Sequence, residues 1–343
     1  MRSSKHHGFV LVLTLWVLVV VAIAAGYFAD RVSLAVSQAQ QARQNTQAAV
    51  DMASTRAEVL FRLGTTTLTE YGLGRGAPTV FLDNRAYHGD GDTVIQLQDT
   101  RGLINLNLAD DGMLNRFLGL LNIEPDQRSR MIDTLRDYTS ASKFRRLNGA
   151  KEDEYRAAGL PPPYNRELVS PWQAQRILGW RDTPQLWLNN QLPNYTATSQ
   201  SMGLNPNTAP PEVLATLPGV TLDLAQLIVA QRALAPFTHE GQITRLTTVP
   251  LNLPMGMGII AIPSDTLRVT QSTVGQPWAL QYTVKLTPNN PNAPWRIDYY
   301  GRVSQPNVPV AAPPAAQSAA PPPGLPPRSD APPDKFPAFL MGL

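Results

Sequence analysis

The 343-residue sequence has no cysteine and only four histidines, His6, His7, His88 and His239. Without cysteine there is no disulfide framework, thiolate zinc site, cysteine nucleophile or iron–sulfur cluster. A histidine-based metal or acid–base centre would need His88 and His239 to meet, and nothing in the sequence around them suggests it. Charge is sparse as well, at 16% of residues, with 29 Lys and Arg against 26 Asp and Glu. That small excess is not the strong basic footprint of a nucleic-acid protein. No G-x-S-x-G, H-E-x-x-H or Walker pattern occurs, so the chain reads as a non-enzyme. Gly72-Leu73-Gly74-Arg75-Gly76 lacks the preceding strand and the spacing of a phosphate loop, and reads as a turn after a helix.

What the chain does have is unevenly spread. Phe9–Phe28 is a run of 20 residues with no charge. At 1.5 Å per residue it reaches roughly 30 Å, the thickness of a bilayer's hydrocarbon. Arg2 and Lys5 precede it, which puts the N-terminus on the cytoplasmic side and the rest of the chain beyond the inner membrane. Ala22, Ala24 and Ala25 allow an alternative in which the run is a secretory signal cleaved after a small residue. From Asp30 to Leu63 there is no proline or glycine, and apolar or small residues recur every three or four positions, from Val32 and Ala35 to Ala57 and Leu60. That is helical periodicity, with a stop near Gly64. The run and its continuation predict one helix of about 54 residues, roughly 80 Å long. At the other end, 12 of the 32 prolines fall in the last 41 residues, where the chain is expected to be extended or disordered.

The basic leader, the pair Gly8-Phe9 and the uncharged segment together resemble the N-terminus of type IV prepilin-like proteins. The resemblance implies a prepilin peptidase that cuts after Gly8 and methylates Phe9, leaving the apolar helix in place. Phe9 would be the first mature residue and Leu13 the fifth. Most members of the group carry glutamate there, to pair with a neighbouring subunit's N-terminal ammonium. Leucine at that place is similar to the minor pseudopilin K family of the type II secretion system, and assigns Leu13 to filament packing.

The body that follows predicts an α+β arrangement. Thr79–Leu82 and Thr93–Gln98 are short β-like runs, with Asp83-Asn84 and residues 88–92 as turns. Thr266–Thr270, Trp278–Leu286 and Trp295–Val303 form a later group. Alternation at Leu280, Tyr282, Val284 and Leu286 gives a sheet with one face buried. The intervening 160 or so residues read as mostly helical and carry a repeat. Asn105-Leu106-Asn107-Leu108-Ala109 and Asn205-Pro206-Asn207-Thr208-Ala209 lie 100 positions apart. Leu114 and Gly119 match Leu214 and Gly219, and with a four-residue slip Ile132 and Arg136 match Ile228 and Arg232. In the second unit Thr208 is the expected N-cap, of a helix ending near Leu217, followed by a second helix from Leu222 to Arg232.

These units resemble helix-hairpin-helix, or SAM-like, modules. Pro218-Gly219-Val220-Thr221 lacks the second glycine of a DNA-binding hairpin, and Asp223 places an acid where a phosphate would approach, so no nucleic-acid partner is expected. The protein K family carries two such units inserted in its pseudopilin domain. The resemblance thus implies a leader at 1–8 and a transmembrane helix at 9–28. The stalk continues over 29–63, and the α/β domain begins over 64–104. A helical insertion fills 105–264, strands return over 265–303, and a tail occupies 304–343.

The function so implied is that of a minor pseudopilin at the tip of the pseudopilus, held in the inner membrane with its body in the periplasm. Its partners would be minor pseudopilins I and J, the major pseudopilin G and the prepilin peptidase. The competing readings are a membrane-anchored helix-hairpin-helix receptor and a type IV pilus-like component. Calcium occurs in pseudopilins, and Asp83, Asp90, Asp92, Asp110 and Asp111 are the candidate ligands, with solvated acidic turns as the favoured reading. Lys143–Arg146 with Arg136 forms a basic cluster, and Phe336-Pro337-Ala338-Phe339-Leu340-Met341 could dock on a partner.

Overall fold

The computed structural model describes residues 7–74, 79–251, 253, 258–304 and 323–326, without the side chains of 7–10. Arg2 and Lys5 of the leader, the Arg75-Gly76 pair and the apolar end of the tail lie outside the described residues.

Helix α1 spans His7–Thr65. Its N-terminal part is apolar and exposed along its whole circumference, Leu13 included, at 54%. The helix is long and apolar enough to cross a membrane. Only its last turns bury a stripe, where Met52, Thr55, Val59, Leu60 and Leu63 recur at helical spacing and meet the sheet.

The chain then makes the two-residue pair β1 (Leu68–Thr69) and β2 (Gly72–Leu73), followed by β3 (Asp83–His88) and β4 (Thr93–Asp99). After a long excursion it returns as β7 (Thr266–Thr273), β8 (Trp278–Leu286) and β9 (Trp295–Ser304). These five form one antiparallel sheet in the order β3-β4-β7-β8-β9, so the last strands do come back to the sheet begun before the excursion. Ile95, Leu97, Leu267, Val269, Tyr282 and Val284 point to α1 and form the smaller of two cores. The opposite face carries Thr266, Arg268, Gln281, Thr283 and Lys285, as period-2 alternation requires.

Two expectations change here. The strand falls on Asp83–His88 instead of Thr79–Leu82, and Val80 keeps only an isolated bridge to Leu73. The expected turn at Asp83-Asn84 is a β-bulge inside that strand. The register slips between Asp83 and Ala86, with Asn84 at φ 68°, a conformation asparagine tolerates. Part of the tail also returns to the sheet. His88 donates its backbone N–H to Pro323 O at 2.9 Å, so residues 323–326 lie along the β3 edge, with Leu325 against the core.

The excursion holds β5 (Ile104–Asn105), α2 (Asp111–Leu120), α3 (Pro125–Thr139), α4 (Glu152–Ala157), α5 (Pro184–Trp187), α6 (Gln191–Tyr195), β6 (Thr196–Ala197), α7 (Pro211–Leu214), α8 (Leu222–Leu234) and α9 (Glu240–Thr247). It has its own, larger core, built around Leu114, Phe117, Leu135, Tyr138, Trp180, Leu214 and Ile228. It is less helical than expected. Prolines at 161–163, 171, 184, 193, 210, 211 and 218 remove backbone donors, so several helices are one turn long.

One buried carboxylate joins the two cores. Asp99 ends β4 with no exposure. Its Oδ1 accepts from the backbone N–H of Arg101 at 3.0 Å, the backbone N–H of Ser264 at 2.9 Å and the Ser264 hydroxyl at 2.8 Å. Its Oδ2 accepts from Asn205 Nδ2 and from the Thr208 hydroxyl, both at 2.9 Å. Thr208 is therefore not the helix cap expected of it. Pro210 precedes α7 with no side-chain cap, and the hydroxyl is committed to Asp99. Gly102 completes the join, since a Cβ there would lie 2.7 Å from the Thr208 backbone. Asp99→Ala would remove the acceptor of five hydrogen bonds, and is expected to cost about 3–5 kcal/mol in urea unfolding of the full chain, with Asp99→Asn costing less.

Candidate functional site

Two surfaces of the chain are candidates for function, the exposed apolar stretch of α1 and the helical repeat. The repeat is real in three dimensions. Asn105 and Asn205 each accept, through Oδ1, the backbone N–H two residues on, at 3.0 Å. These are asparagine turns that open each unit. Asn107 then clamps Leu168, accepting its N–H and donating to its carbonyl, both at 3.0 Å. Asn207 clamps Phe237 in the same way, at 2.8 and 2.9 Å. Arg136 of α3 donates to Ala109 O and Arg232 of α8 to Ala209 O, so the matched arginines tie the second helix of each unit to its opening turn.

The correspondence runs further than the sequence comparison reached. Gln173 Oε1 accepts from Val169 N at 2.8 Å, and Gln242 Oε1 accepts from Thr238 N at 2.7 Å. Each glutamine follows the clamped residue by five positions. Linear matching misses this because 61 residues separate Asn107 from Leu168 and only 30 separate Asn207 from Phe237. The units meet where α2 crosses α7, and Arg116 of α2 donates to Thr216 O.

The five aspartates proposed for calcium are spread over different elements. Asp83, on β3, takes Arg85 at 2.7 Å and faces Arg232 at 4.0 Å. Burial pushes its carboxyl up, but the Arg85 hydrogen bond and the Arg85 and Arg232 charges outweigh this and hold it below its ordinary value of 3.8. Burial in turn lowers the Arg232 guanidinium to about 10, against the opposing pull of Asp83. Asp90 and Asp92 lie in the β3–β4 loop. Asp90 N–H donates to the Thr55 hydroxyl at 2.9 Å, and a Cβ on Gly91 would strike Asp51, so this loop sits directly on α1. Asp110 caps α2, accepting from Met113 N at 3.0 Å. Asp111 bridges Arg136 at 2.9 Å and Arg146 at 3.2 Å. Among the described residues, no three His, Cys, Asp or Glu side chains converge as ligands of one metal ion. The basic cluster is largely engaged too, since Arg145 pairs with Glu154 and Arg146 also reaches Asp133. Phe144 and Leu147 flank this arginine pair in sequence, each 88% exposed.

At the second hairpin, Gly219 at φ 76° passes the chain between α7 and α8, and a Cβ there would strike Val249. Thr221 caps α8, accepting from Leu224 N at 3.3 Å, and Asp223 sits in the first turn. The unit so described runs from the Asn205 turn through α9. Residues 204–250 match the model of the family described as type II secretion system (T2SS), protein K. The resemblance to protein K read from the sequence holds. The chain also matches a solved structure, a chain of the GspK-GspI-GspJ complex from the enterotoxigenic Escherichia coli type 2 secretion system. The TM-score is 0.50 and the identity 15%, over 78% of this chain and 99% of that one. That likeness is one of fold, of the α+β class. No curated protein matches in sequence. The protein K match begins one residue before Asn205 and includes Asn207, Phe237 and Gln242, the complete clamp of the second unit.

Asn207→Ala would leave the N–H and C=O of Phe237 without their partner. It is expected to lower stability by about 2–3 kcal/mol in denaturant melts, and Asn107→Ala to do the same at Leu168. Because the Asp83 carboxyl is lowered on folding, its contribution is present above pH 3.8 and is lost as pH falls through the lowered value. Acid titration followed by circular dichroism should therefore be shallower below pH 4 for Asp83→Asn than for the parent chain.

Proposed function

We propose that the chain is a minor pseudopilin that works at the tip of a type II secretion pseudopilus, together with I-like and J-like minor pseudopilins. The observation that carries this reading is the combination of α1, apolar and uncovered through its first half, with a sheet domain that bears a large repeat-built insertion. Among the described residues nothing covers the apolar half, and it needs lipid or other helices to cover it. The insertion adds bulk on the sheet face opposite α1, which a subunit at the end of a filament accommodates and one stacked between neighbours does not. Leu13 fits the same place, since an end subunit has no subunit above it whose ammonium needs a carboxylate. The protein K family match and a fold shared with a chain of the GspK-GspI-GspJ complex support the assignment.

In this reading the prepilin peptidase cuts between Gly8 and Phe9, α1 rests in the inner membrane before assembly, and the rest of the chain lies in the periplasm. The two repeats act as SAM-like contact modules, with neither nucleic acid nor chemistry to handle. The sequence of the mature N-terminus tests the processing. Mass spectrometry is expected to find N-methylated Phe9, whereas an intact Met1 or cleavage after Ala24 or Ala25 would overturn it. Co-expression tests the assembly: the full chain in detergent is expected to elute with its I-like and J-like partners, and elution alone would favour a solitary receptor.

A further inference from the structure

The five-stranded sheet ends on β9 at one side and on β3 at the other, and the two edges are built differently. On β9 the exposed positions include Arg296, Asp298 and Arg302, and charged side chains discourage a further strand. On β3 the first half is guarded by the bulge between Asp83 and Ala86, where Arg85 pairs with Asp83. His88, at the end of the strand, lies beyond that bulge and turns both of its backbone groups outward.

Residues 323–326 answer them. His88 N–H donates to Pro323 O at 2.9 Å, and His88 O accepts from Leu325 N–H at 3.3 Å, a two-point parallel bridge about Gly324. Leu325 packs half-buried against the core between the sheet and α1. The local sequence suits this seat. In Pro321-Pro322-Pro323-Gly324-Leu325-Pro326-Pro327 only Gly324 and Leu325 carry an N–H, and Pro326 keeps Leu325 out of the helical region. Proline pre-sets an extended backbone, which lowers the entropy lost on docking, and offers few donors to any strand beyond it.

The hold is slight. Two hydrogen bonds and one half-buried leucine oppose the ordering of the segment and the closure of its connection from β9, at the far edge. A ligand held by so little is exchangeable. When it leaves, the edge presents a backbone donor, a backbone acceptor and an apolar seat, the elements by which sheet edges bind extended peptides. The same strand runs into the loop on α1, where a Cβ on Gly89 would lie 2.5 Å from the Thr55 side chain, so the occupant of the edge also braces the grip on the stalk.

We propose that the β3 edge at His88 is a docking site for an extended, proline-flanked polypeptide segment bearing one aliphatic side chain, and that residues 323–326 fill it in cis as a displaceable ligand. A fluorescein-labelled peptide with the sequence of residues 319–330 is titrated against the full chain in detergent and followed by anisotropy. Leu325→Asp is expected to vacate the seat and to bind the peptide about tenfold more tightly than the parent chain, whose own tail competes. The same peptide with aspartate in place of its leucine is expected not to bind. His88→Pro, added to Leu325→Asp, removes the backbone donor at an edge position that tolerates proline, and should weaken binding about fivefold. If Leu325→Asp does not fold, Leu325→Ser takes its place. If the double variant does not fold, hydrogen–deuterium exchange of the fragment carrying His88 is read in the single variant, and the peptide is expected to slow it. Equal affinity of the parent and the Leu325 variant, binding indifferent to the peptide's leucine, or no binding to either chain would overturn the proposal.

Discussion

The carboxylate of Asp99 sits where two hydrophobic cores meet, and it ties the insertion and the returning strands to the end of β4. A charge in that position requires every lone pair to be answered, and the chain answers from three separate stretches: the turn after β4, the opening of the second repeat at Asn205 and Thr208, and Ser264 just before β7. Because Asn205 and Ser264 lie 106 and 165 positions beyond Asp99 in sequence, the same interaction seats the insertion on the sheet and aims β7 at β4. The specificity lies in geometry. Hydrophobic burial would hold the cores together in several relative positions, whereas a carboxylate with five fixed donors accepts one.

Within the insertion, asparagine does a related task on a smaller scale. Asn107 and Asn207 each satisfy both backbone groups of one distant residue, as a neighbouring β-strand would. This lets proline-broken segments pack without long helices, and tolerates different loop lengths between clamp and target. The repeat therefore survives as a hydrogen-bonding pattern where its sequence has drifted. The segment that carries the protein K match contains the more compact of the two units.

The sheet serves two masters. Its inner face is apolar and grips the end of α1, leaving the rest of that helix free for lipid or for neighbouring helices. Its outer face is polar, and the insertion covers it incompletely, leaving a cavity of about 320 Å³ between the two, while Arg268 on that face is buried against the backbone carbonyls of Pro193 and Asn194.

Local order was legible in the sequence. The uninterrupted apolar run and the proline-free periodicity after it set the long helix to within two residues at each end. The alternation at Tyr282 and Val284, the offset between Asn105 and Asn205, and the pairing of Arg136 with Arg232 were likewise visible, because each rests on periodicity or spacing. What the tertiary structure alone decided are the contacts between distant stretches. Thr208 has the look of a helix cap, but Asp99 competes for its hydroxyl and wins. Asp83 and Asn84 look like a turn, but cross-strand pairing to Gln98 and the bond to Arg85 draw them into a bulged strand. The candidate calcium aspartates look alike in sequence, but folding commits Asp83 to Arg85, Asp110 to the cap of α2 and Asp111 to Arg136 and Arg146. A residue's type states what bonds it can make, and only the folded chain states which partner arrives first.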